Sequence, residues 1–333
     1  MEPFLMRPED ERTHRPDASP NFNESVYTNG FDAKTRVGGW MRLGNRVNEG
    51  YAELSVCLYL PDGRIACRFQ RPPIADNDKF DAGGLSYSVI EPLRSVSMTF
   101  EGELTIVDDP DALRDPQALF ANGPKLPGRV HWVHQADSPI HGGEPVDDSV
   151  PTMYGRDFSL GHFNQHSRVR GQIQVGAETW PIDGGGWRDH SWGPRYWQAI
   201  FCYRLFIANF PNGDGFMLLK ISDKSGVSRR LGALLVDGRY EEVIDMDLST
   251  DWTAKQDPAF VRLGVRTAHR TASITGEVLS LAPLRNRRET NDEILTSRIA
   301  EGYTEFTWEG RKGWGMSEYI ERVEGGKLCG YPL

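Results

Sequence analysis

The sequence is poor in cysteine and has no long apolar run. None of its four cysteines forms a C-x-x-C pair, a distribution that favours reduced thiols over a disulfide framework or a zinc knuckle. No stretch approaches the roughly eighteen apolar residues that a membrane helix requires. The first 25 residues lack an apolar segment behind a basic start, as a secretory signal would have. Together these absences predict a cytoplasmic protein with no membrane span. The cysteines are Cys57, Cys67, Cys202 and Cys329.

Positive charge and nucleotide-binding motifs are also scarce. Lysine and arginine number 38 against 47 acidic residues, and the net charge of -9 argues against nucleic acid or an anionic membrane surface as partner. An uncharged or cationic small ligand is easier to accommodate. The sequence contains no Walker A segment, no G-x-G-x-x-G before a helix, no G-x-S-x-G elbow and no H-E-x-x-H. We therefore expect no nucleotide and no other cofactor.

Helical patterning is rare, and β patterning recurs along most of the 333 residues. One short helix is predicted over 109–123, which begins with Asp and ends with Gly. Alternating or β-branched runs between glycine and proline turns predict strands elsewhere. Examples are "YAELSVCLYL", "SVSMTFEGELTIV", "RVRGQIQV" and "YRLFIANF". So many strands must close into barrels or stack as sandwiches to protect their edges. The predicted fold class is mainly β.

A weak internal repeat divides these strands into two halves. Residues 40–63 resemble residues 203–226, with an offset of about 165 residues between corresponding glycines. The halves also end alike, in "GGWRDHSW" and "KGWGMSEY". We predict an N-terminal arm over 1–25, an N-terminal β domain over 26–193 and a C-terminal β domain over 194–333.

The segment "GGGWRDHSWGPRYW", residues 184–197, places an Asp-His pair and two arginines among aromatic rings. A surface loop has little need of tryptophan, and a buried strand excludes such polar groups unless they are paired. In an extended chain, side chains alternate between two faces. Trp187, Asp189 and Ser191 would then share one face. Arg188, His190 and Trp192 would share the other.

These residues suit acid chemistry on a hydrophobic molecule. Tryptophan surroundings solvate a carboxyl group poorly, which raises its pKa and lets it act as a general acid, so Asp189 is the first candidate. His190 could instead hold or relay the proton, and the sequence does not separate the two. Aromatic faces attract cations by about 2 kcal/mol or more per ring when water is excluded. The rings predicted to line the substrate are Trp187, Trp192, Tyr196 and Trp197.

The segment "GWRDHSWG" resembles the Asp-His-x-Trp-Gly signature of the carotenoid 1,2-hydratase (hydroxyneurosporene synthase) family and its lipocalin-like hydratase and cyclase relatives. The closing segment "GWGMSEY" and the two-part β layout are similar too. The resemblance implies two tandem lipocalin-like antiparallel β-barrel or sandwich halves. It also implies cofactor-free protonation of a hydrophobic alkene, such as a terpenoid, steroid-like or aromatic compound. Hydration, dehydration, isomerisation or cyclisation would follow, and a lyase of the hydratase kind is the first choice.

Residues outside the motif supply further candidates. Glu318 corresponds in position to the motif of the first half and is predicted to be a second acid or base, with Tyr319 beside it in contact with substrate. His162 is predicted to be a polar part of a cavity wall. A metal site is not expected, because the paired histidines occur in strands or loops, where a spacing of three places two side chains on opposite faces. These histidines are His131, His134, His162 and His166.

Other interpretations of the same residues remain open. Asp189 could pair with Arg188 or Arg195 in a structural lock whose rings fill an interface. The protein could be a non-catalytic lipocalin-like carrier of an apolar ligand, or its nine tryptophans could form an aromatic platform for sugars. The expected partner is a hydrophobic small molecule. A homodimer through a sheet edge is a further option.

Overall fold

The structure is a computed structural model of the chain, and it describes residues 3–150, 152, 155–156, 158–196, 200–289 and 294–332. About 65% of the chain is strand and about 6% is helix, which confirms the mainly β prediction. The chain divides into two compact units, Met1–Ile106 with Pro124–Trp197 and Val107–Gly123 with Gln198–Leu333. The predicted domain bounds at residues 25 and 193 stay predictions.

The strands of the first unit include most of the runs that alternate in the sequence. Two short 3-10 helices, Pro8–Glu11 and Val47–Glu49, accompany them. The strands are β1 (Phe4–Leu5), β2 (Phe22–Asp32), β3 (Val37–Arg46), β4 (Tyr51–Tyr59), β5 (Ile65–Gln70), β6 (Asp81–Ala82), β7 (Leu85–Glu91), β8 (Ser95–Val107), β9 (Lys125–Ala136), β10 (His141–Pro145), β11 (Gly161–Val175) and β12 (Glu178–Pro194).

Hydrogen-bonded pairing closes this sheet on itself. The order runs β11-β12-β2-β3-β4-β5-β8, and β9 pairs with both β8 and β11, so the described strands include a closed ring of eight. Two short branches, β10-β1 and β7-β6, extend it. The side chains that point into the ring form one apolar core, which includes Val26, Met41, Val56, Met98, Trp132 and Val169. Closure leaves no exposed edge in the ring, as the sequence argument required.

The second unit is a closed barrel as well. Its strands follow one another in an antiparallel meander, and β13 pairs with β20 to close eight strands. They are β13 (Cys202–Asn209), β14 (Gly215–Ser222), β15 (Ser228–Val236), β16 (Arg239–Trp252), β17 (Pro258–Thr267), β18 (Thr271–Glu289), β19 (Ile294–Trp308), β20 (Arg311–Glu324) and the short β21 (Lys327–Leu328). The core inside contains Phe206, Phe216, Leu234, Val265, Phe306 and Tyr319.

The predicted helix lies between β8 and β9 as two short pieces. A 3-10 helix, Pro110–Arg114, is followed by α1 (Pro116–Asn122), and Asp109 and Asp115 cap the two N-termini with their carboxylates. The second piece ends at Gly123, as the sequence indicated. Within the described residues, no helix has the length and apolarity needed to span a membrane.

The two stretches that the internal repeat compares form equivalent hairpins. Residues 40–63 contain most of β3 and all of β4, and residues 203–226 contain most of β13 and all of β14. Each hairpin is followed by a turn that ends at a glycine with a left-handed backbone. The φ angle of Gly63 is +91° and that of Gly226 is +83°, values that side chains with a Cβ rarely adopt.

A buried ion cluster braces the closing seam of the second barrel. Glu321 on β20 is fully buried and accepts hydrogen bonds from Arg204, at 2.5 Å, and from Arg298. Arg204 also lies over the ring of Tyr319, with its guanidinium carbon 4.6 Å from the ring centroid. A buried carboxylate between two guanidinium groups is costly to break, because removing its charge leaves the arginines uncompensated.

We predict that Glu321→Gln lowers the free energy of unfolding by about 3–5 kcal/mol, since it leaves buried arginine charge unpaired. Denaturant unfolding followed by circular dichroism measures this. Glu305→Gln is the matched control, because Glu305 forms a partly exposed pair with Lys312 at 2.6 Å and should contribute less than about 1 kcal/mol. Equal losses in the two variants would contradict the assignment.

Candidate active site

Strand β12 divides the Asp-His motif between two faces of the first barrel. In its antiparallel pairing with β2, His190 lies opposite Val26, a core residue, and Asp189 lies opposite Tyr27. Side chains alternate along a strand. His190 therefore points into the barrel with Arg188 and Trp192, and Asp189 points outward with Trp187 and Ser191. The adjacent Asp and His do not form one pair.

On the inner face, His190 is fully buried and bound to Glu24, which the sequence analysis did not select. Its Nε2 lies 3.0 Å from Oε1 of Glu24, and Nδ1 of His14 lies 2.6 Å from the same oxygen. Asn77 donates its side-chain N–H to Oε2 at 2.6 Å. Burial acts to raise the pKa of Glu24, but the hydrogen bonds from both histidines outweigh it and lower the pKa.

Arg188 on the same inner face also pairs with a residue of the N-terminal segment. Its Nη1 donates to Oε1 of Glu11 at 2.8 Å and to the hydroxyl of Tyr87 at 3.2 Å, and Gln165 accepts two further hydrogen bonds. All four side chains are buried. Burial acts to lower the pKa of Arg188, but the charges of Tyr87 and Glu11 outweigh it and raise the pKa. The carboxylates that hold Arg188 and His190 are thus Glu11 and Glu24, whereas the sequence analysis considered Asp189 as the partner of Arg188 or Arg195.

The histidine pairs named in the sequence do not form the metal candidate. His131 is exposed, and His134, on the opposite face of β9, is buried with Nδ1 2.8 Å from the hydroxyl of Ser167. Within the described residues, the set of donor atoms that could hold a metal ion is His14, Glu24 and His190, within 4.8 Å of one another. Ligands around a tetrahedral ion with bonds near 2.1 Å lie about 3.4 Å apart. The observed 2.6 and 3.0 Å separations are those of hydrogen bonds instead.

On the outer face, Asp189 lies beside His162. The Nε2 of His162 is 3.5 Å from Oδ2 of Asp189, across the pairing of β11 with β12. The Asp189 side chain is 18% exposed, whereas those of His190 and Glu24 have no exposure. The structure therefore brings together Asp189 and His162, both of which the sequence selected, and the carboxyl group of Asp189 is accessible to a ligand.

The aromatic rings of the motif do not form the single lining that was predicted. Trp187 lies on the outer face, 5.9 Å from the ring of Tyr27, which in turn stacks on Trp40 at 6.1 Å. Trp192 points inward and stacks on His14 at 3.9 Å. Tyr196 is 43% exposed. The prediction for Trp197 falls outside the described residues. Alternation along β12 is the reason for the correction, since positions 187 and 192 have opposite parity.

Glu318 and Tyr319 belong to the second unit and point to opposite faces of β20. Tyr319 is in the core, and its hydroxyl is 2.8 Å from that of Thr250, so it is a packing residue and not the substrate contact that the sequence predicted. Glu318 lies opposite Glu301 of β19. Burial, then the charge of Glu318 and a hydrogen bond with it, raise the pKa of Glu301 well above its ordinary value. Glu301 therefore holds its proton more tightly than an isolated carboxyl group does.

Sequence reasoning missed the two carboxylates that bind the motif, Glu11 and Glu24, and also Glu301, the partner of Glu318. They lie in segments with no distinctive spacing, and their partners are 177, 166 and 17 residues away in the chain. One signal was available. A buried strand containing Arg188 and His190 requires acidic partners from elsewhere in the chain.

The fold and these sites define a mainly β protein with a lipocalin-like architecture. Residues 7–323 match the family described as "Domain of unknown function (DUF7064)", and the chain belongs to this family. No curated protein matches its sequence.

Several solved structures share the fold. An AttH-like protein from Nitrosomonas europaea superposes with a TM-score of 0.61 at 14% identity, covering 98% of this chain and 97% of the other. Kievitone hydratase from Nectria haematococca gives 0.59 at 10% identity, covering 96% and 93%. CghA gives 0.57 at 11% identity, covering 93% and 94%. At these identities the likeness is one of fold. It agrees with the two-barrel architecture, and membership of the carotenoid hydratases stays a prediction.

We predict that Glu24→Gln lowers the free energy of unfolding by about 3–5 kcal/mol, because buried His190 and partly buried His14 lose their charged acceptor. Chelator treatment of the unaltered protein should leave its thermal unfolding midpoint unchanged, since protons bridge this cluster. Glu101→Gln, which alters an exposed pair with Arg129, is the control and should be nearly neutral. A midpoint that falls with chelator would contradict the proton-bridged cluster.

A pH effect follows from His134. Burial, with a smaller contribution from the charge of Arg188, lowers the pKa of His134 from 6.5 to about 3. Between these values the unfolded chain binds a proton that the folded chain does not, so stability falls as the pH falls from 6.5 to about 3.

We expect His134→Gln, which can still hydrogen-bond to Ser167, to reduce this pH dependence. Unfolding at several pH values measures the slope. His131→Gln is the matched control on the same strand, because His131 is exposed. A slope unaffected by the change at His134 would show that other groups cause the acid sensitivity.

Proposed function

We propose that this protein is a cofactor-independent acid-base enzyme that adds water to, removes water from or rearranges a hydrophobic small molecule. The observation that carries the proposal is the Asp189–His162 pair on the outer face of the first barrel. A partly exposed carboxyl group, an imidazole at 3.5 Å and a row of aromatic rings lie on one face. The fold shared with kievitone hydratase is consistent with this class of reaction.

In the proposed reaction, Asp189 gives up a proton and the Asp189–His162 pair takes one back. In hydration, Asp189 in its protonated form donates to an alkene carbon and becomes a carboxylate. Water then attacks the resulting cation, and the proton lost from that water returns to the Asp189–His162 pair, so the enzyme is unchanged. Dehydration is the reverse. Rearrangement or cyclisation ends instead with loss of a proton from carbon to the same pair.

The rings on this face can stabilise positive charge. Tyr27 is only partly buried and lies directly across from Asp189, whereas Trp187 and Trp40 are buried and pack beside it. A carbocation over an aromatic ring gains about 2 kcal/mol or more when water is excluded. Tyr27 also gives an apolar substrate a surface to pack against. Trp192 supports this arrangement indirectly, because it packs against His14 on the other face.

His190 is assigned a positioning role. It has no exposure, its Nε2 is bound to Glu24, and aromatic rings surround it, with Phe80 and Phe163 each at 5.4 Å. A group that donates a proton to substrate must meet it, so His190 is placed to hold β12 rather than to react.

The Glu301–Glu318 pair is a second proton donor, in the other unit. A general acid must carry its proton, and a raised pKa favours the protonated form of Glu301. The neighbouring side chains on this face of β13 and β20 are largely apolar and include Leu205, Ile207, Met316 and Ile320. We assign Glu318 and Glu301 a separate test, because each pair can be altered without touching the other.

The test is incubation of the full chain in deuterated water with pooled terpenoids, steroids and aromatic alkenes, followed by mass spectrometry. We expect deuterium uptake or a gain or loss of water in some compound. Asp189→Asn and His162→Gln should reduce this turnover by at least a hundredfold while circular dichroism and ligand affinity stay the same, because general acid-base catalysis contributes on that scale. His190→Gln should mainly lower the free energy of unfolding, because His190 holds β12 in position.

Matched changes define the contrary results. Asp183→Asn on the same strand is the control, because Asp183 is exposed and pairs with Arg168 and Arg170. Turnover that survives Asp189→Asn but is lost in Glu318→Gln would move the acid to the second unit. A compound that binds and is recovered unaltered would make the protein a carrier and overturn the proposed enzyme.

A further inference from the structure

Arg46, at the end of β3, is a buried cation with unused hydrogen-bond donors. Its side chain has no exposure, and its Nε donates to Glu49. Its Nη1 and Nη2 are buried without an acceptor among the described residues. Unpaired buried donors on a charged group cost free energy, and such groups in native proteins are commonly completed by a ligand or ion.

A second donor lies close by on the same face. Asn23 on β2 uses its side-chain oxygen to accept from Nη2 of Arg42 at 3.4 Å, and its Nδ2 is buried without an acceptor among the residues described. The pairing of Glu24 with Asn45 places Asn23 next to Arg46 across β2 and β3. Donors from two strands therefore meet at one end of the outer face.

Arg195 adds a third donor group and a second buried cation. Its Nη2 donates to the hydroxyl of Ser191 at 2.7 Å and its Nε to the carbonyl of Phe158 at 3.1 Å, both neutral acceptors. Burial lowers the pKa of Arg195 to about 9, and repulsion from Arg42 and Arg46 acts in the same direction. The backbone N–H of Arg195 also donates to the carbonyl of Asn21 at 3.2 Å, which places Arg195 beside the start of β2.

Of the three arginines, one has no carboxylate bound to it among the described residues. Arg42 is paired with Glu53 at 3.1 Å, and Arg46 with Glu49. The hydrogen bonds of Arg195 go to the neutral groups above. A guanidinium group with only neutral acceptors, beside the unused N–H donors already described, matches a singly charged acceptor with two oxygens.

We propose that Arg46, Arg195 and Asn23 bind the carboxylate group of an otherwise apolar molecule at this end of the outer face. Its apolar body would extend along the face toward Tyr27, Trp187 and Trp40. Asp189 lies on the same face and interacts electrostatically with Arg195. The view that this carboxylate belongs to the substrate rests on the proposed function; its binding does not.

The test is isothermal titration of the full chain with 2-naphthoate and with the uncharged 2-naphthylmethanol. We expect 2-naphthoate to bind at least tenfold more tightly than 2-naphthylmethanol. In the unaltered protein, 2-naphthoate should also raise the thermal unfolding midpoint more than 2-naphthylmethanol does. Arg46→Met and Arg195→Met should each reduce the preference to twofold or less. Arg129→Met, on an exposed site of the same unit, should keep it.

Other results would overturn the proposal. Equal affinity for the acid and the alcohol in the unaltered protein would do so, as would a preference that persists in both arginine variants. Tighter binding of 2-naphthyl phosphate than of 2-naphthoate would overturn the assignment of a singly charged group. If Arg46→Met does not fold, Arg46→Lys keeps the charge but not the two-donor fork, and we expect at least a fivefold loss there too. If 2-naphthoate binds but no compound is turned over, the proposed enzyme activity is wrong and the proposed carboxylate site still holds.

Discussion

The hydrogen bond between Glu24 and His190 fixes the direction in which strand β12 presents its side chains. Because the imidazole is fully buried against that carboxylate, the strand cannot slip by one residue without burying Asp189 in its place. The same carboxylate binds the backbone N–H and the ring of His14, so the N-terminal segment is tied to the strand as well. The positions of Asp189 and His162 on the outer face therefore depend on a buried ion cluster on the inner face.

The net charge of this protein and the charges around the proposed carboxylate site favour different kinds of ligand. A net charge of -9 suggested an uncharged or cationic ligand, and it still argues against nucleic acid. A ligand, however, meets the field of the groups within a few ångströms, and at the end of the outer face those groups include Arg195, whose hydrogen bonds go to neutral acceptors. The negative net charge does not weaken such a site, because salt screens the charges of Asp and Glu residues far from it.

Sequence periodicity predicted the fold well, but it predicted only some of the contacts between the candidate site residues and their partners. Alternation along 186–192 was enough to separate Asp189 from His190, and the recurrent strands were enough to predict closed sheets. The partners of the motif could not be found this way, since Glu11 and Glu24 reach it through closure of the barrel and not through spacing. Trp187 and Trp192 were grouped by proximity in sequence, but strand parity decides which face a ring joins. The glycine turns of the repeat, in contrast, are local and were found.

The second unit shows what the same architecture does without the buried histidine. Aligning the two closing segments by their tryptophans places Ser317 where the first unit has His190, and its hydroxyl needs only that of Thr304, at 2.7 Å. At that position the second unit has no ion cluster among its described residues, and the carboxyl groups that we propose as its proton donors, Glu301 and Glu318, again lie on the face away from the core. A core closed on all sides can hold a charge only by pairing it. In both units, then, the proposed proton donors lie on the outward side of a strand whose inward side chains pack in the core and hold the strand in register.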